Sequence, residues 1–573
     1  MFVDSDDMAK SIFNKLSNSN VIYLDTETNG LLPFKGNRLC GISMADEENE
    51  YYFPFRHAEG FNLNIKDYLE VLDNLLQPRT SIGWNYKFDL HMLYVDGIET
   101  PKSVKDIQLA AHLMNENEES YFRLKEVANK YLHSKANIEE QKLKAILLKN
   151  GYGKADMWRL EGKIVSPYAC DDVKLTRELY KFYIPHLTTW GVYNLWEEVN
   201  QYMYITTKME QRGILIDPFK CVDFAEEAQE LADKTLNKLE LAAGYKINPN
   251  SSKQVTAWLG TPDSKKETLE LLENDNPNVR LIMDYRGYSK ANSSYYEPYI
   301  QLMDEYNVIH ANLNLSGTIS GRLSCNTPNL QAVPTKKTEM KVKEVFFARE
   351  GYTFISGDYS QAEMRLACHY AQEVKMSKLL KEGFDIHTKT SEKLGIIRDH
   401  AKRINFGVIY GIGARGLSRN LNIPESKAKE YLKLYHNEYP GFKRLYQHCE
   451  KTAKERGFIR MWTGRTRKYN MGHIITPVHK AMSNLIQGGV AEIMRVTILK
   501  LFPLMEQYNA YMILQIHDQI MFEVPNKVVE EILPKIKTIM EDLPFDVPMK
   551  VDFSIGDSWG SLKKVQISQE GVV

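Results

Sequence analysis

The chain has 573 residues, 43% hydrophobic and 26% charged, a composition that excludes a disordered or collagen-like protein. At ~150 residues per domain, the length predicts three or four domains. The net charge of −1 conceals an asymmetry: residues 1–120 hold 10 Lys+Arg against 20 Asp+Glu, whereas residues 391–470 hold 18 against 7, a hint of a polyanionic ligand held in one place.

Six scattered cysteines without a C-x-x-C pair predict neither a disulfide framework nor a zinc site and fit a reducing cytosol. No apolar run approaches the ~18 residues of a membrane span. The acidic start MFVDSDDMAK lacks the features of a secretory signal or transit peptide.

The first region reads as alternating α/β. Val21 to Leu24 (VIYL) predicts a short strand that ends in the polar string DTETNG; EYYFPF follows near Tyr51, and helical patterning begins at Ile65. Asp25 and Glu27, two apart at the strand end, share one face, and such a pair suits a hard cation such as Mg²⁺. Asp89 falls in NYKFDLHMLY, consistent with a helix. Ser166-Pro167 predicts a helix start, a capping hydroxyl followed by proline at the first helical position. Tyr168 and Asp172 then share a helix face. Four carboxylates (Asp25, Glu27, Asp89, Asp172) can hold two metals that clamp the attacking and leaving oxygens of a phosphodiester, with Tyr168 orienting the water. Asp171 reads as a neighbour on the helix surface.

Val192 to Asn307 reads as long helices with charged faces, and at Leu313 the character changes to the loop-like SGTISGRLSCNTPNLQAVP. YTFIS from Tyr352 predicts a strand, followed by Asp358 in GDYSQAEMR. Helices fill the chain to about Arg460. Within them, Arg398, Lys402, Phe406 and Tyr410 recur every fourth residue and form one slowly winding helix face. Its cations suit phosphate oxygens, and its aromatics suit a base and sugar. MILQI and IMFEV flank His517-Asp518 and predict a hairpin. Its turn lacks the favoured Asn-Gly, and a turn that breaks its local rule is where function is expected. If the fold unites Asp358 with Asp518, the pair can hold two Mg²⁺ for nucleotidyl transfer.

These strings resemble the DNA polymerase I family (family A). The D-x-E, N-x-x-x-D and Y-x-x-x-D motifs of its 3′→5′ proofreading exonuclease read here Asp25-Thr26-Glu27, Asn85 to Asp89, and Tyr168 to Asp172. DYSQAEMR resembles motif A, Arg398 to Gly411 motif B and QIHDQIMFEV motif C, while SGRLSCNTPNLQAVP is similar to the family's T-G-R-L-S-S-x-x-P-N-L-Q segment. The resemblance implies a multidomain α/β chain: a ribonuclease H-like 3′-5′ exonuclease domain over 1–190, then a right-hand polymerase. Its thumb is expected at 191–311, its palm at 312–375 and 476–573, and its fingers at 376–475.

The resemblance also implies roles. Asp358 and Asp518 would be metal ligands, helped by the backbone carbonyl of Tyr359. Arg398, Lys402 and His387 would bind the triphosphate. Gln361 and Glu363 would flank the incoming nucleotide, with Glu363 filling the space of a ribose 2′-OH. Phe406 and Tyr410 would shape the pocket, and Arg322, Gln487 and His517 would contact DNA. The cofactor implied is Mg²⁺, two per active site, with Mn²⁺ as a substitute. The partners implied are primer-template DNA and deoxynucleoside triphosphates. The chain is expected to be a cytoplasmic, bacteriophage-like monomer, with replisome partners open and no 5′-nuclease domain. Three positions depart from the family pattern: Gln519 stands for the usual Glu, Ser483 for Asn and His479 for Arg. Two aspartates are expected to suffice without the third carboxylate. A single-subunit RNA polymerase shares the palm and fingers, but Glu363 and the exonuclease motifs favour DNA. A non-catalytic relic would have lost its carboxylates.

Overall fold

The computed structural model describes residues 1–117, 122–133, 135–273, 275–334, 340–469, 477–568 and 571–572. Five strands organise the first region: β1 (Val21–Thr28), β2 (Leu39–Ala45), β3 (Glu50–Pro54), β4 (Thr80–Gly83) and β5 (Ser103–Asp106). They form a mixed sheet in the order β3-β2-β1-β4-β5. β1 is central, antiparallel to β2 and parallel to β4. Pairing with β2 continues to Thr28, so β1 runs four residues beyond the predicted VIYL. Asp25 and Glu27 therefore lie inside the strand, where the alternation that puts them on one face is enforced by the ladder.

Three helices bring further carboxyl groups and a lysine to this sheet: α1 (Tyr86–Val95), α2 (Leu124–Tyr131) and α3 (Gly162–Thr189). α3 lies across β1, β2 and β3. It starts at Gly162, not at Ser166-Pro167 as the capping pattern suggests. A Cβ on Gly162 would lie 2.8 Å from the Pro54 side chain, so the first turn of the helix packs too closely there for a larger residue. Pro167 then forfeits one helical hydrogen bond, a loss that packing outweighs in a helix with thirteen buried residues.

α4 (Tyr193–Arg212) belongs to two cores at once. Leu195, Trp196, Val199 and Met203 pack with the first sheet, and Tyr202, Ile205 and Met209 with the second. Beyond it the helix Pro218–Ala243 pairs with Pro277–Ala291 around a small core of their own.

The second sheet holds β6 (Tyr352–Tyr359), β7 (Tyr511–Ile516), β8 (Gln519–Pro525), β9 (Val551–Gly556) and β10 (Lys563–Val565) in the order β7-β8-β6-β9-β10, entirely antiparallel. β6 is longer than YTFIS because β8 and β9 pair with it as far as Asp358 and Tyr359, so Asp358 sits in the strand rather than after it. α5 (Ala362–Ala371) and α6 (Arg398–Ile409) belong to a third core of helices, and α7 (Ala481–Tyr508) joins that core to the second sheet. The expected boundary at 475/476 lies outside the described residues.

Buried ion pairs lock these bodies together. Lys87 Nζ and His91 Nε2 of α1 lie 2.5 and 2.6 Å from the Glu210 carboxylate of α4. Arg467 meets Glu116 at 3.1 Å, both buried. Among the described residues, no helix is long and apolar enough to cross a membrane.

Candidate active sites

In the first sheet, Asp25, Glu27 and Asp172 each present an oxygen, and the three lie within 4.8 Å of one another. Glu27 and Asp172 are buried, and Glu27 Oε1 has no hydrogen-bond partner among the described residues. Burial pushes all three carboxyls up, joined by neighbouring negative charge at the first two: Glu27 to about 8, Asp25 well above its ordinary range, and Asp172 upward by burial despite Lys125 beside it. A buried carboxylate group with an orphaned oxygen fits a hard divalent cation, whose charge would reverse these shifts.

Asp89 is not one of that group. Its Oδ1 accepts from the Thr26 N–H at 2.9 Å and the Thr26 hydroxyl at 2.5 Å, which pins α1 to β1 between Asp25 and Glu27. The start of α1 is held by Asp106, whose carboxylate accepts the N–H groups of Asn85 and Tyr86 at 3.0 Å each. Asn85 adopts the left-handed conformation, at φ +54°, which asparagine tolerates well. Tyr168 is buried beside Asp172. Burial, with Asp172 next in weight, pushes its phenol well above the ordinary range, so it stays neutral and acts as a hydrogen-bond donor rather than a base. Asp171 is more than a surface neighbour: it is half-buried and ion-paired to Lys125 at 2.8 Å.

In the second sheet, the hairpin turn brings Asp518 to Asp358. The Tyr359 N–H donates to the Asp518 carbonyl at 3.1 Å. His517 takes φ +54° to close the two-residue turn. Gln515 anchors the hairpin: its Oε1 accepts from the Tyr202 hydroxyl at 2.5 Å, and its carbonyl accepts from Gln331 Nε2 at 3.0 Å. The Tyr359 side chain is buried and donates to the Met540 carbonyl at 2.6 Å. Asp358 is pushed up to about 7 by burial, then by Asp518 and Asp552, and burial also raises Asp518. The shared charge suits a cation between the two aspartates. Gln519 Nε2 donates to Ser356 Oγ at 2.5 Å, so the amide is already engaged. Asp552 on β9, directly opposite Asp358 on β6, is a carboxylate that the motifs do not mark.

The helix register read from the four-residue spacing is visible in α6. Arg398, Lys402 and Tyr410 are exposed and Phe406 is half-buried, while Ala401, Ile404, Asn405 and Val408 are buried behind them. Arg398 pairs at 2.8 Å with Asp385, the N-cap of the helix that carries His387. His387 packs 5.5 Å from the Phe406 ring and meets Asn405 Nδ2 at 2.9 Å. Glu363 of α5 accepts from Arg322 at 2.5 Å and from the Tyr410 hydroxyl, and Gln487 of α7 also reaches that hydroxyl. Arg322, Glu363, Tyr410 and Gln487 thus form one polar chain. Gln361 opens α5 at φ +56°, and its Oε1 is buried with no hydrogen-bond partner among the described residues. Ser483 is half-buried on α7, and His479 is exposed just before it.

Sequence reasoning missed a buried support for this site. Glu492 of α7 pairs with Arg465 at 2.5 Å and Arg495 at 2.7 Å, and the two guanidiniums outweigh burial to hold it down to about 2. Arg465 also packs 3.2 Å from where a Cβ on Gly321 would sit, next to Arg322. The available signal was an acid and a base three apart in the otherwise apolar string GGVAEIMRVTIL.

Comparison with known proteins agrees with this layout. Residues 1–187 match the family model described as 3′-5′ exonuclease, and residues 220–561 match that of DNA polymerase family A. DNA polymerase I of Synechocystis sp. is 30% identical over 94% of this chain and 59% of its own length. DNA polymerase I of Rhizobium leguminosarum is 27% identical with the same coverage. The chain thus spans about six-tenths of the length of these relatives. A solved structure of the polymerase domain of Pol1 from M. smegmatis, in complex with DNA primer-template and dNTP, shares the fold. Its TM-score is 0.81 at 19% identity, over 98% of this chain and 99% of that one. By its sequence match over more than half its length, the chain belongs to DNA polymerase family A.

Proposed function

We propose that the protein is a template-directed DNA polymerase that proofreads with its own 3′→5′ exonuclease. The observation that carries this reading is the pair of acidic sites on two different sheets, each with its own partner residues. Asp358 and Asp518 would hold Mg²⁺ in the palm, beside the Tyr359 backbone; Asp25, Glu27 and Asp172 would hold it in the exonuclease, with Asp89 keeping their strand in place. Bound there, Mg²⁺ supplies neutralisation of phosphate charge and a lowered pKa for the attacking hydroxyl or water, and Mn²⁺ can replace it.

The remaining roles belong to the chain. Arg398, Lys402 and His387 grip the triphosphate of a deoxynucleotide. Phe406 and Tyr410 shape the sugar and base pocket, Gln361 and Glu363 flank it, and Glu363 occupies the space a ribose 2′-OH would need. Arg322, Gln487 and His517 contact primer-template DNA. Minor-groove acceptors are alike for every base pair, so such contacts test pairing geometry without reading sequence. Tyr168 donates to the attacking water of the exonuclease. The place of action is the cytoplasm, and the working unit is a monomer.

Primer extension on matched and mismatched primers, with and without Mg²⁺, tests the reading. The expected result is Mg²⁺-dependent extension of the matched primer and trimming of the mismatched one before extension. Extension without trimming would remove the proofreading role, and neither activity would remove the function.

A further inference from the structure

Lys125 is the second residue of α2, in the first turn of a helix, where the helix dipole disfavours a cation. Its side chain is only 11% exposed. A buried ammonium in that position needs partners, and it has two adjacent ones on α3. Nζ lies 2.8 Å from Asp171 Oδ2 and contacts Asp172 Oδ1. It also sits 5.2 Å from the centre of the Tyr168 ring. One buried cation therefore touches a member of the acidic group, a carboxylate just outside that group, and the phenol.

Asp171 alone would satisfy a purely structural brace between α2 and α3. The contact with Asp172 is different, because that carboxylate contributes to the three oxygens within 4.8 Å. An ammonium on such a carboxylate opposes any divalent ion that approaches it. On the exonuclease reading above, we propose that Lys125 is a positioning residue that competes with the divalent metal for Asp172, and that Asp171 is the carboxylate onto which it moves when the metal binds. The metal affinity of the exonuclease is then set by how Lys125 divides between two neighbouring aspartates.

The test is Mn²⁺ binding, read from the paramagnetic resonance of the free ion. It uses the full chain carrying Asp358→Asn and Asp518→Asn, so that only the exonuclease site reports. Lys125→Met should tighten Mn²⁺ binding by about tenfold, the scale of losing one partly buried ion pair. Asp171→Asn, at a 21% exposed side chain and so tolerant of change, should weaken binding several-fold because Lys125 then rests wholly on Asp172. In the Lys125→Met background, Asp171→Asn should have almost no effect, a coupling that a double-mutant cycle isolates.

Unchanged or weaker binding in a folded Lys125→Met chain would overturn the proposal. So would an Asp171→Asn effect of equal size in both backgrounds, the mark of a distant charge. If Lys125→Met does not fold, unchanged affinity in Asp171→Asn overturns the proposal by itself. Absence of Mn²⁺ binding before any change at Lys125 would instead overturn the metal site on which this proposal rests.

Discussion

Glu363 is held by Arg322 on one carboxylate oxygen and by the Tyr410 hydroxyl on the other, so its position at the end of the exposed face of α6 is fixed from two sides. A merely apolar pocket rejects an added hydroxyl by only ~10²-fold, whereas a side chain that fills the space can exceed that. Glu363→Ala should therefore lower discrimination against ribonucleotides by tenfold or more, and weaken catalysis because Tyr410 and Arg322 lose their shared partner. Competition between ribo- and deoxynucleotides on one template measures it; unchanged discrimination would mean that Glu363 is not the gate. Phe406 has no hydroxyl to replace the 3′-OH that a dideoxynucleotide lacks. Phe406→Tyr should remove most of the parent's preference for deoxynucleotides, one to two decades at roughly 1.5–3 kcal/mol for a hydrogen bond to a charged group. An exonuclease-deficient background keeps excision from mimicking selectivity, and an unchanged ratio would show that Phe406 does not face the sugar. Glu27 reports on the other site. Its carboxyl titrates near 4.3 when unfolded and at about 8 in the fold. Between those values the unfolded chain has released a proton that the folded chain retains, so stability falls as pH rises from ~4.3 to ~8. Glu27→Gln should stabilise the protein in chelator at pH 8 by about 2 kcal/mol and much less at pH 5, as read by thermal melting. Equal effects at both pH values would contradict the raised carboxyl.

The same logic extends to whole elements. The β7–β8 hairpin is set by Tyr202, Gln331 and the Tyr359 N–H, and these hold the turn whatever residue follows Asp518. Gln519 bonds Ser356 on the neighbouring strand. If Asp358 and Asp518 supply the metal ligands, as proposed, Gln519→Glu should leave synthesis within about tenfold of the parent, ~1.4 kcal/mol in barrier. A large gain in single-turnover extension would show a site short of a carboxylate. Elements also mark what the sequence made legible. The spacing from Arg398 to Tyr410 disclosed a helix face because helical periodicity is local. The D-x-E string disclosed a shared strand face for the same reason. The start of α3 was misread because Ser166-Pro167 mimics a cap, while the turn before it is helical and packs Gly162 against Pro54, over a hundred residues away in the chain. Lys125 beside Asp171, Asp552 beside Asp358, and Arg465 beside Glu492 were illegible for one reason: each pairing is made by the fold between separate segments and leaves no local pattern.

At the scale of the whole molecule, two sheets with two acidic sites are joined through α4, which contributes to both cores, and through buried ion pairs at Glu210 and at Glu116 with Arg467. No carboxylate of the Asp25, Glu27, Asp172 group is shared with the Asp358, Asp518 pair. With a packed junction and no shared ligand, each site should be able to lose its chemistry without unfolding the other. The most direct measurement is therefore separation of function on one end-labelled primer-template, with extension and 3′→5′ degradation quantified for each variant. Asp358→Ala or Asp518→Ala should abolish extension and leave degradation intact, and Asp25→Ala with Glu27→Ala should do the reverse. Loss of both activities from either set, in a protein that melts like the parent, would contradict two independent sites and with them the proposed function.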